Sequence, residues 1–432
     1  MLVSKKYKEK TMSERKKLIL IGAGNRGKRY TDIAKNIGEK FEIVAVAEPI
    51  AERREVMARI HGLTPDACYE SWEPILEKEK FADAVIIATM DRDHFEPAMA
   101  AIERGYDLLL EKPISPSAEE CRALCEAAKK KGVSVLICHV LRYTPFFRTV
   151  RKLIDSGKIG EVVNIQLTEP VGNVHQSHSF VRGNWGNSDR SSPMLLQKSC
   201  HDMDILQWLI GKKCLRVSSF GSLSHFSKNN KPEGAPEFCI DGCPHGETCP
   251  YNAKKLYLDD KGNDWFRTAC THMHEPTDAD VERAIRTSNY GRCVYSCDNN
   301  VVDHQVVNLE FEGGITCGFT MCAFSVGGRY IRVMGTKGEI SGEFKMPTVD
   351  FYDFETKTHN EIKVSDAAFD DSIVGGHGGG DDGIMHAFYE LLCGREDVSL
   401  CNIEVSSANH MIVFAAERAR AEGRVVSLDE FI

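Results

Sequence analysis

The stretch Lys17–Gly27 reads KLILIGAGNRG. Its apolar run, Leu18 to Ile21, is a strand with no polar face, the mark of a strand buried on both sides in a parallel sheet. The run then enters a G-x-G-x-x-G turn at Gly22, Gly24 and Gly27, with Asn25 and Arg26 inside it. Between a strand and a helix, the first glycine makes the tight turn and the second lets the backbone approach a pyrophosphate. The third lets the helix lie on the strand, so that the anion sits at the helix N-terminus. This context predicts a dinucleotide site. Glu48 closes the next strand, 21 residues beyond Gly27. A carboxylate there accepts from the ribose hydroxyls and repels a 2′-phosphate, which argues for NAD over NADP, although Arg53 and Arg54 nearby weaken that preference.

Working outward, the segment from Lys16 to about His139 alternates short apolar runs with helical stretches. LILIGAG, FEIVAVAE, AVIIAT, DLLLEKP and SVLICHV read as strands, giving a doubly wound parallel α/β sheet of the Rossmann type. After Arg142 the pattern changes. TPFFRTVRKLIDSGKIG is an amphipathic helix, and EVVNIQLTEPVG, CLRVSSFGSLSHF, VVDHQVVNLEFEGGITCGFTMCAF, YIRVMGTKGEISGEF and TVDFYDFETKTHNEIKV alternate as strands of a large, open, mostly antiparallel sheet. Gly313-Gly314 and Lys337-Gly338 fit tight turns. The expected organisation is a dinucleotide-binding domain at 14–145 and an α+β domain at 146–432, interrupted by a polar, aperiodic insertion at 225–300.

A chain of 432 residues and 48.2 kDa suits two domains, and 42% hydrophobic with 27% charged residues is ordinary for a globular protein. A net charge of -9 and a pI near 6.0 offer no field for phosphate backbones, so nucleic acid is not an expected partner. No apolar run is long enough to cross a bilayer, and no membrane partner is expected. The basic N-terminus MLVSKKYKEKTMSERKK lacks the apolar core of a signal peptide, so the expected location is the cytoplasm, with Met1 or Met12 as the start.

Most of the sixteen cysteines sit singly in apolar runs, as small buried hydrophobes of a reduced protein. The exceptions cluster in the insertion. Cys239, Cys243 and Cys249, with Cys270, Cys293 and Cys297 beyond, suggest a tetrahedral structural zinc; unligated thiols or a redox pair are the alternatives.

Three further stretches carry chemistry. Glu111-Lys112-Pro113 ends a strand at the carboxyl edge where open α/β sheets bind ligands. A lysine beside a cationic nicotinamide has its ammonium form disfavoured, which makes Lys112 a candidate general base. In QKSCHDMD, Gln197 to Asp204, helical spacing sets Lys198, His201 and Asp202 on one face. The glycine-rich GGHGGGDDG reads either as a loop closing over substrate, with His377 and Asp381 on hydroxyls, or as a plain solvent loop.

GAGNRG, ATMDRDHFEPAMAAIERGYDLLLEKPIS and HVLRYTPFFRTVRKLIDSGKIGEV, in this order and spacing, resemble the glucose-fructose oxidoreductase / inositol dehydrogenase / rhizopine catabolism (Gfo/Idh/MocA) family. The resemblance is close from about residue 16 to 210 and looser beyond. It implies nicotinamide-dependent redox chemistry on sugars or cyclitols, and an open C-terminal sheet that often serves as an oligomer interface, hence a homodimer or homotetramer. It also places Thr89 and His94 near the nicotinamide ribose, and His139 and Arg142 at the domain junction as expected substrate contacts. The family's second catalytic element has an Asp, then a His four residues on and an Asp three after that. Aligning His201 and Asp204 puts Gln197 where the first Asp belongs, and a glutamine amide cannot act as a base. Lys198 is an addition to the pattern, suited to a substrate hydroxyl or to lowering the pKa of Lys112.

The expected activity is hydride transfer between NAD and a secondary hydroxyl or keto carbon of a sugar, glycoside or inositol. Lys112 would be the base, with His201 as an acid/base or orienting group and Gln197 at the substrate. One rival uses the same cofactor for transient oxidation, elimination, water addition and re-reduction of a glycoside. Another is a catalytically silent NAD-binding sensor.

Overall fold

The computed structural model describes residues 15–364, 377–395 and 401–431. Residues 1–14, which hold both candidate starts, and residues 372–376 of the glycine-rich loop lie outside them.

The parallel sheet has six strands in the order β3-β2-β1-β4-β5-β6. These are β1 (Lys16–Ile21), β2 (Phe41–Ala47), β3 (Cys68–Tyr69), β4 (Ala84–Ile87), β5 (Asp107–Leu110) and β6 (Val135–Ile137). The two-residue β3 is the one the apolar pattern does not announce. Strand order reverses between β1 and β4, so the crevice beyond their carboxyl ends lies at Gly22 and Ala88, where such sheets bind ligands. Leu18, Ile19, Leu20, Val85 and Ile86 are fully buried, as strands covered on both faces require.

The second sheet has nine strands in the order β14-β13-β12-β11-β7-β10-β9-β8-β15. They are β7 (Val162–Pro170), β8 (Cys214–Ser222), β9 (His304–Phe311), β10 (Ile315–Cys322), β11 (Tyr330–Gly335), β12 (Gly338–Glu343), β13 (Thr348–Asp353), β14 (Thr358–Lys363) and β15 (Val426–Ser427). All neighbours are antiparallel except β7 and β10. Gly313 and Gly314, at φ +81° and +76°, make the β9–β10 turn. One face carries the helices Pro145–Asp155, Met194–Ile210 and Ile403–Glu422, whose Phe146, Phe147, Leu206 and Val413 join the buried side chains of the sheet.

The chain crosses between the halves more than once. Helix Gly380–Leu392 packs Ile384, Met385 and Phe388 onto the parallel sheet's core, and Ile403 joins the core on the opposite face of that sheet. The insertion, aperiodic by sequence, holds helices Asp264–Thr271 and Asp278–Thr287 around Tyr257, Phe266, Val281, Ile285 and Tyr290. No helix among the described residues is long and apolar enough to cross a membrane.

Candidate functional site

The glycine turn has the geometry of a phosphate cradle. Gly22 has φ +87°, and a Cβ there would lie 2.7 Å from the backbone of Ala88 and Thr89. A Cβ on Gly27 would lie 2.0 Å from the carbonyl oxygen of Gly22, so the helix Asn25–Asn36 rests directly on the turn. Gly24 differs: only the Arg53 guanidinium, 3.7 Å away, comes near its Cβ position, and the space beside it opens into the cleft. That helix begins with no side-chain cap and no acidic residue in its first turn, leaving its N–H groups to an anion. These residues fit a dinucleotide diphosphate.

Glu48 is buried at the end of β2, its carboxylate accepting from Ala23 N at 2.8 Å and Ile50 N at 3.0 Å while lining the cleft. Arg54 lies outside the cleft lining and donates to the backbone carbonyls of Glu48 and Pro49 at 2.5 and 3.3 Å and to the Glu70 carboxylate at 3.3 Å. Arg53 stays in the cleft wall, its pKa lowered by burial against the opposing pull of Glu48 and Glu52.

A cavity of about 1200 Å³ runs from this turn to the nine-stranded sheet. Thr89 and Lys112 line its middle. His94 is outside the lining: it is buried, its Nδ1 2.7 Å from the Pro113 carbonyl and its Nε2 3.3 Å from that of Thr89, so it braces the loop that carries Thr89. Glu111 accepts from Arg26 Nε at 2.7 Å, Tyr30 Oη at 2.6 Å and Lys112 N at 2.9 Å. Burial pushes its pKa up, but Arg26, Lys112 and the bonds from Arg26 and Tyr30 hold it below the ordinary range. Lys112 itself reaches across the cleft, its Nζ donating to the backbone carbonyl of Gln197 at 2.8 Å.

Helix Met194–Ile210 carries Gln197, Lys198 and His201 into the same cavity. His201 is 7% exposed and its Nδ1 has no hydrogen-bond partner. Burial, then the charges of Lys112, His139, His377 and Arg329, depress its pKa well below the usual imidazole value, so the ring is neutral at neutral pH. Asp202, expected on the same face, lies behind it in a bidentate pair with Arg329 at 2.8 and 3.3 Å. Lys198 pairs with Glu169 at the end of β7, 3.3 Å away, and Arg329 lies 2.8 Å from the same carboxylate. Burial raises the Glu169 pKa against the pull of Arg329 and Lys198.

Several expected contacts fall elsewhere. Arg142 does not line the cavity; its guanidinium makes a buried fork on Asp204, both N–O distances 2.7 Å. His139, also behind the wall, stacks edge-on against His201 and His410 at centroid distances of 5.6 and 5.7 Å. Asp381 is fully buried and accepts from Arg26 at 2.7 and 3.0 Å, so it ties the glycine turn to helix Gly380–Leu392 and has no face left for substrate. His377, bonded to that Asp381 at 3.1 Å, does line the cavity.

The zinc expectation at Cys239, Cys243 and Cys249 is corrected. Among the described residues no three His, Cys, Asp or Glu side chains converge as cation ligands. Cys239 Sγ instead accepts from Arg182 at 3.5 Å, and His245 Nε2 bonds the Glu233 carbonyl at 2.8 Å. An apolar core holds the insertion, and all sixteen cysteines are free thiols. Sequence reasoning missed Glu169, Arg329, His175 and the insertion's Trp265, all of which line the cavity. Glu169 ends a strand before a proline, a position like that of Glu111, and that parallel was the available signal.

Residues 16–139 match the oxidoreductase family, NAD-binding Rossmann fold, and residues 151–428 match the oxidoreductase family, C-terminal alpha/beta domain. YteT of Bacillus subtilis, named only provisionally as an oxidoreductase, is 24% identical over 77% of this chain and 79% of its own. The scyllo-inositol 2-dehydrogenase (NAD(+)) of the same organism is 28% identical over 49% of this chain and 59% of its own, so the chain spans somewhat over half of that relative. Two solved structures share the fold. The oxidoreductase from Agrobacterium radiobacter in complex with NAD+, L-tartaric acid and magnesium has a TM-score of 0.69 at 13% identity, covering 97% of this chain and all (100%) of that one. The WlbA dehydrogenase from Bordetella pertussis in complex with NADH and UDP-GlcNAcA has a TM-score of 0.64 at 15% identity, covering 96% and 99%. With both domain models matched over most of its length, the chain belongs to the Gfo/Idh/MocA oxidoreductase family.

Proposed function

We propose that this protein is an NAD-dependent dehydrogenase acting on a secondary CH–OH group of a sugar, glycoside or inositol. One observation carries the reading: Lys112 Nζ, anchored on the Gln197 carbonyl, and a neutral His201 line one cavity with the glycine turn and Glu48. The inositol dehydrogenases among the relatives supply the substrate class. Glu48, fixed by two backbone N–H groups, favours NAD over NADP.

NAD, when bound, supplies the hydride acceptor. The chain's own task is to orient the carbinol and take its hydroxyl proton. A proton on His201 would be buried beside Lys112, His377 and Arg329, so the imidazole is a poor acceptor and serves as a hydrogen-bond partner to the substrate oxygen. Proton acceptance is left to Lys112. Lys198, Gln197 and His377 line the rest of the substrate space. Phe220 and Val306, paired across strands and exposed on the uncovered face of the nine-stranded sheet, support assembly as a dimer or tetramer.

Lys112→Met should lower kcat at least a thousandfold on the best substrate of a sugar and cyclitol panel, with NAD affinity within severalfold of the unmodified protein. Activity within tenfold would remove Lys112 from the base role. A second reading, redox-neutral glycoside cleavage, draws on the Glu169–Lys198–Arg329 cluster, which offers a second ionisable group on the cavity wall. It predicts free sugar released with only trace NAD, and C–H exchange in deuterated water. Stoichiometric NADH formation predicts the dehydrogenase.

A further inference from the structure

The family's NAD-binding match ends at residue 139, yet the 225–300 insertion reaches the dinucleotide turn from across the cleft. His274 Nε2 donates to the carbonyl of Ala23, between the first two glycines, at 2.7 Å. The N–H groups of His274 and Glu275 both donate to the Glu52 carboxylate at 3.0 Å. Arg59, on the same helix as Glu52, pairs with Glu275 at 2.6 Å, and Asn25 Nδ2 donates to Thr268 Oγ1 at 3.4 Å. At its other side the insertion is bound to the C-terminal domain. Arg182 donates to the carbonyls of Arg292 and Tyr251 at 2.8 and 2.7 Å, and His178 Nδ1 lies 2.9 Å from Tyr257 Oη.

Fixed at both ends, the insertion spans the cleft, and the face it turns inward is suited to a nucleoside. His272 ends helix Asp264–Thr271 in a left-handed conformation, φ +58°, and sits edge-on to Tyr290 with ring centroids 6.3 Å apart. His272, Asn289 and Tyr290 line the same cavity as Glu48 and Arg53, the ribose-binding end of the crevice. Aromatic rings and an amide beside a ribose-binding acid are the groups that stack on and hydrogen-bond a purine.

We propose that the insertion is the second wall of the dinucleotide site: His272, Asn289 and Tyr290 contact the adenosine half of the cofactor, and the His274–Ala23 and Glu52 contacts hold that wall closed and slow cofactor release. The inference rests on the cleft being the NAD site, not on the identity of the sugar substrate. Its insertion core, with Phe266, Val281 and Ile285 buried, makes the wall a single body that must swing away as a unit.

Hydrogen–deuterium exchange of the full chain with and without NAD tests the wall. Backbone amides of 264–275 and 288–290 should exchange several times more slowly with NAD present. Stopped-flow chase of bound NADH by excess NAD, followed by nicotinamide fluorescence, tests the latch. His274→Ala and Glu52→Ala should each release NADH at least tenfold faster, with unfolding midpoints checked against the unmodified chain. If neither folds, the exchange measurement on the unmodified protein decides alone. NAD binding by calorimetry with no protection of the insertion, or release unchanged within twofold in folded variants, overturns the proposal. Failure to bind NAD at all would also remove the reading of the cleft itself.

Discussion

Replacing Asp204 by alanine isolates the buried Arg142–Asp204 pair on the helix that carries His201. Asp204 sits three residues along the helix from His201, fully buried, and accepts both arms of the Arg142 fork at 2.7 Å and Asn409 Nδ2 at 2.6 Å. At an effective dielectric near 20, unit charges about 4 Å apart attract by about 4 kcal/mol. Removing one member of such a pair leaves the 3% exposed Arg142 uncompensated, which typically costs about 3–5 kcal/mol, and Asn409 loses an acceptor worth about 1 kcal/mol. A loss of about 4–6 kcal/mol is therefore expected, a large share of a domain's usual stability of about 5–15 kcal/mol. Guanidinium unfolding followed by tryptophan fluorescence suits the measurement, because the Arg142 guanidinium lies 5.6 Å over the Trp208 ring. The double variant Arg142→Met, Asp204→Leu removes both charges and should recover most of the loss. A single-variant loss below about 1 kcal/mol, or a double variant worse than the single, would refute the reasoning.

Two further outcomes follow from the same structure. Gly27→Ala should abolish NAD binding in calorimetry, since its Cβ would lie 2.0 Å from the Gly22 carbonyl oxygen and displace the cradle; binding within threefold would contradict the fit. Burial holds His139 down at about 4, and His178 and His410 at about 3, below the unfolded imidazole value of about 6.5. The folded state thus resists protons that the unfolded chain accepts. The stability these three confer is present above about pH 6.5 and lost as pH falls, down to about 4 for His139 and about 3 for His178 and His410, at up to about 1.4 kcal/mol per pH unit for each histidine. Unfolding midpoints that stay level from pH 6.5 to 5 would exclude this.

The parallel sheet was legible because strands buried on both faces leave uninterrupted apolar runs, and the glycine turn because its conformation and contacts admit little else. Glu48 and Lys112 were legible by position, at strand ends facing the crevice. What stayed hidden depends on pairing across long sequence separations. Nothing local distinguishes Asp204, which neutralises Arg142 in the core, from Lys198, which faces the cavity. Asp381 read as a substrate contact because its glycine-rich surroundings suggest an open loop, whereas Arg26, 355 residues earlier, claims both of its oxygens. The insertion looked aperiodic because its helices are short, although Thr277 and Asp280 spell a capping box before Val281 and Ile285. The cysteines suggested metal by density alone, while tetrahedral coordination needs convergence in space.

Gln197 takes on a different meaning in this setting. The resemblance implies an acid at this position, yet the contact Gln197 makes to Lys112 is through its backbone carbonyl, which any residue there would supply. The anchoring of Lys112 therefore does not depend on the side chain at 197. A carboxylate still reaches the cavity, but from β7, as Glu169, and it arrives already paired with Lys198 and Arg329. On this part of the cavity wall a carboxylate comes from the strand, and Lys198 offsets its charge. Burial without Lys198 would drive Glu169 further towards its neutral form. Lys198→Met should then alter the pH profile of kcat/KM while His201→Asn alters its magnitude, a division expected if Lys198 acts through Glu169 and His201 meets the substrate directly.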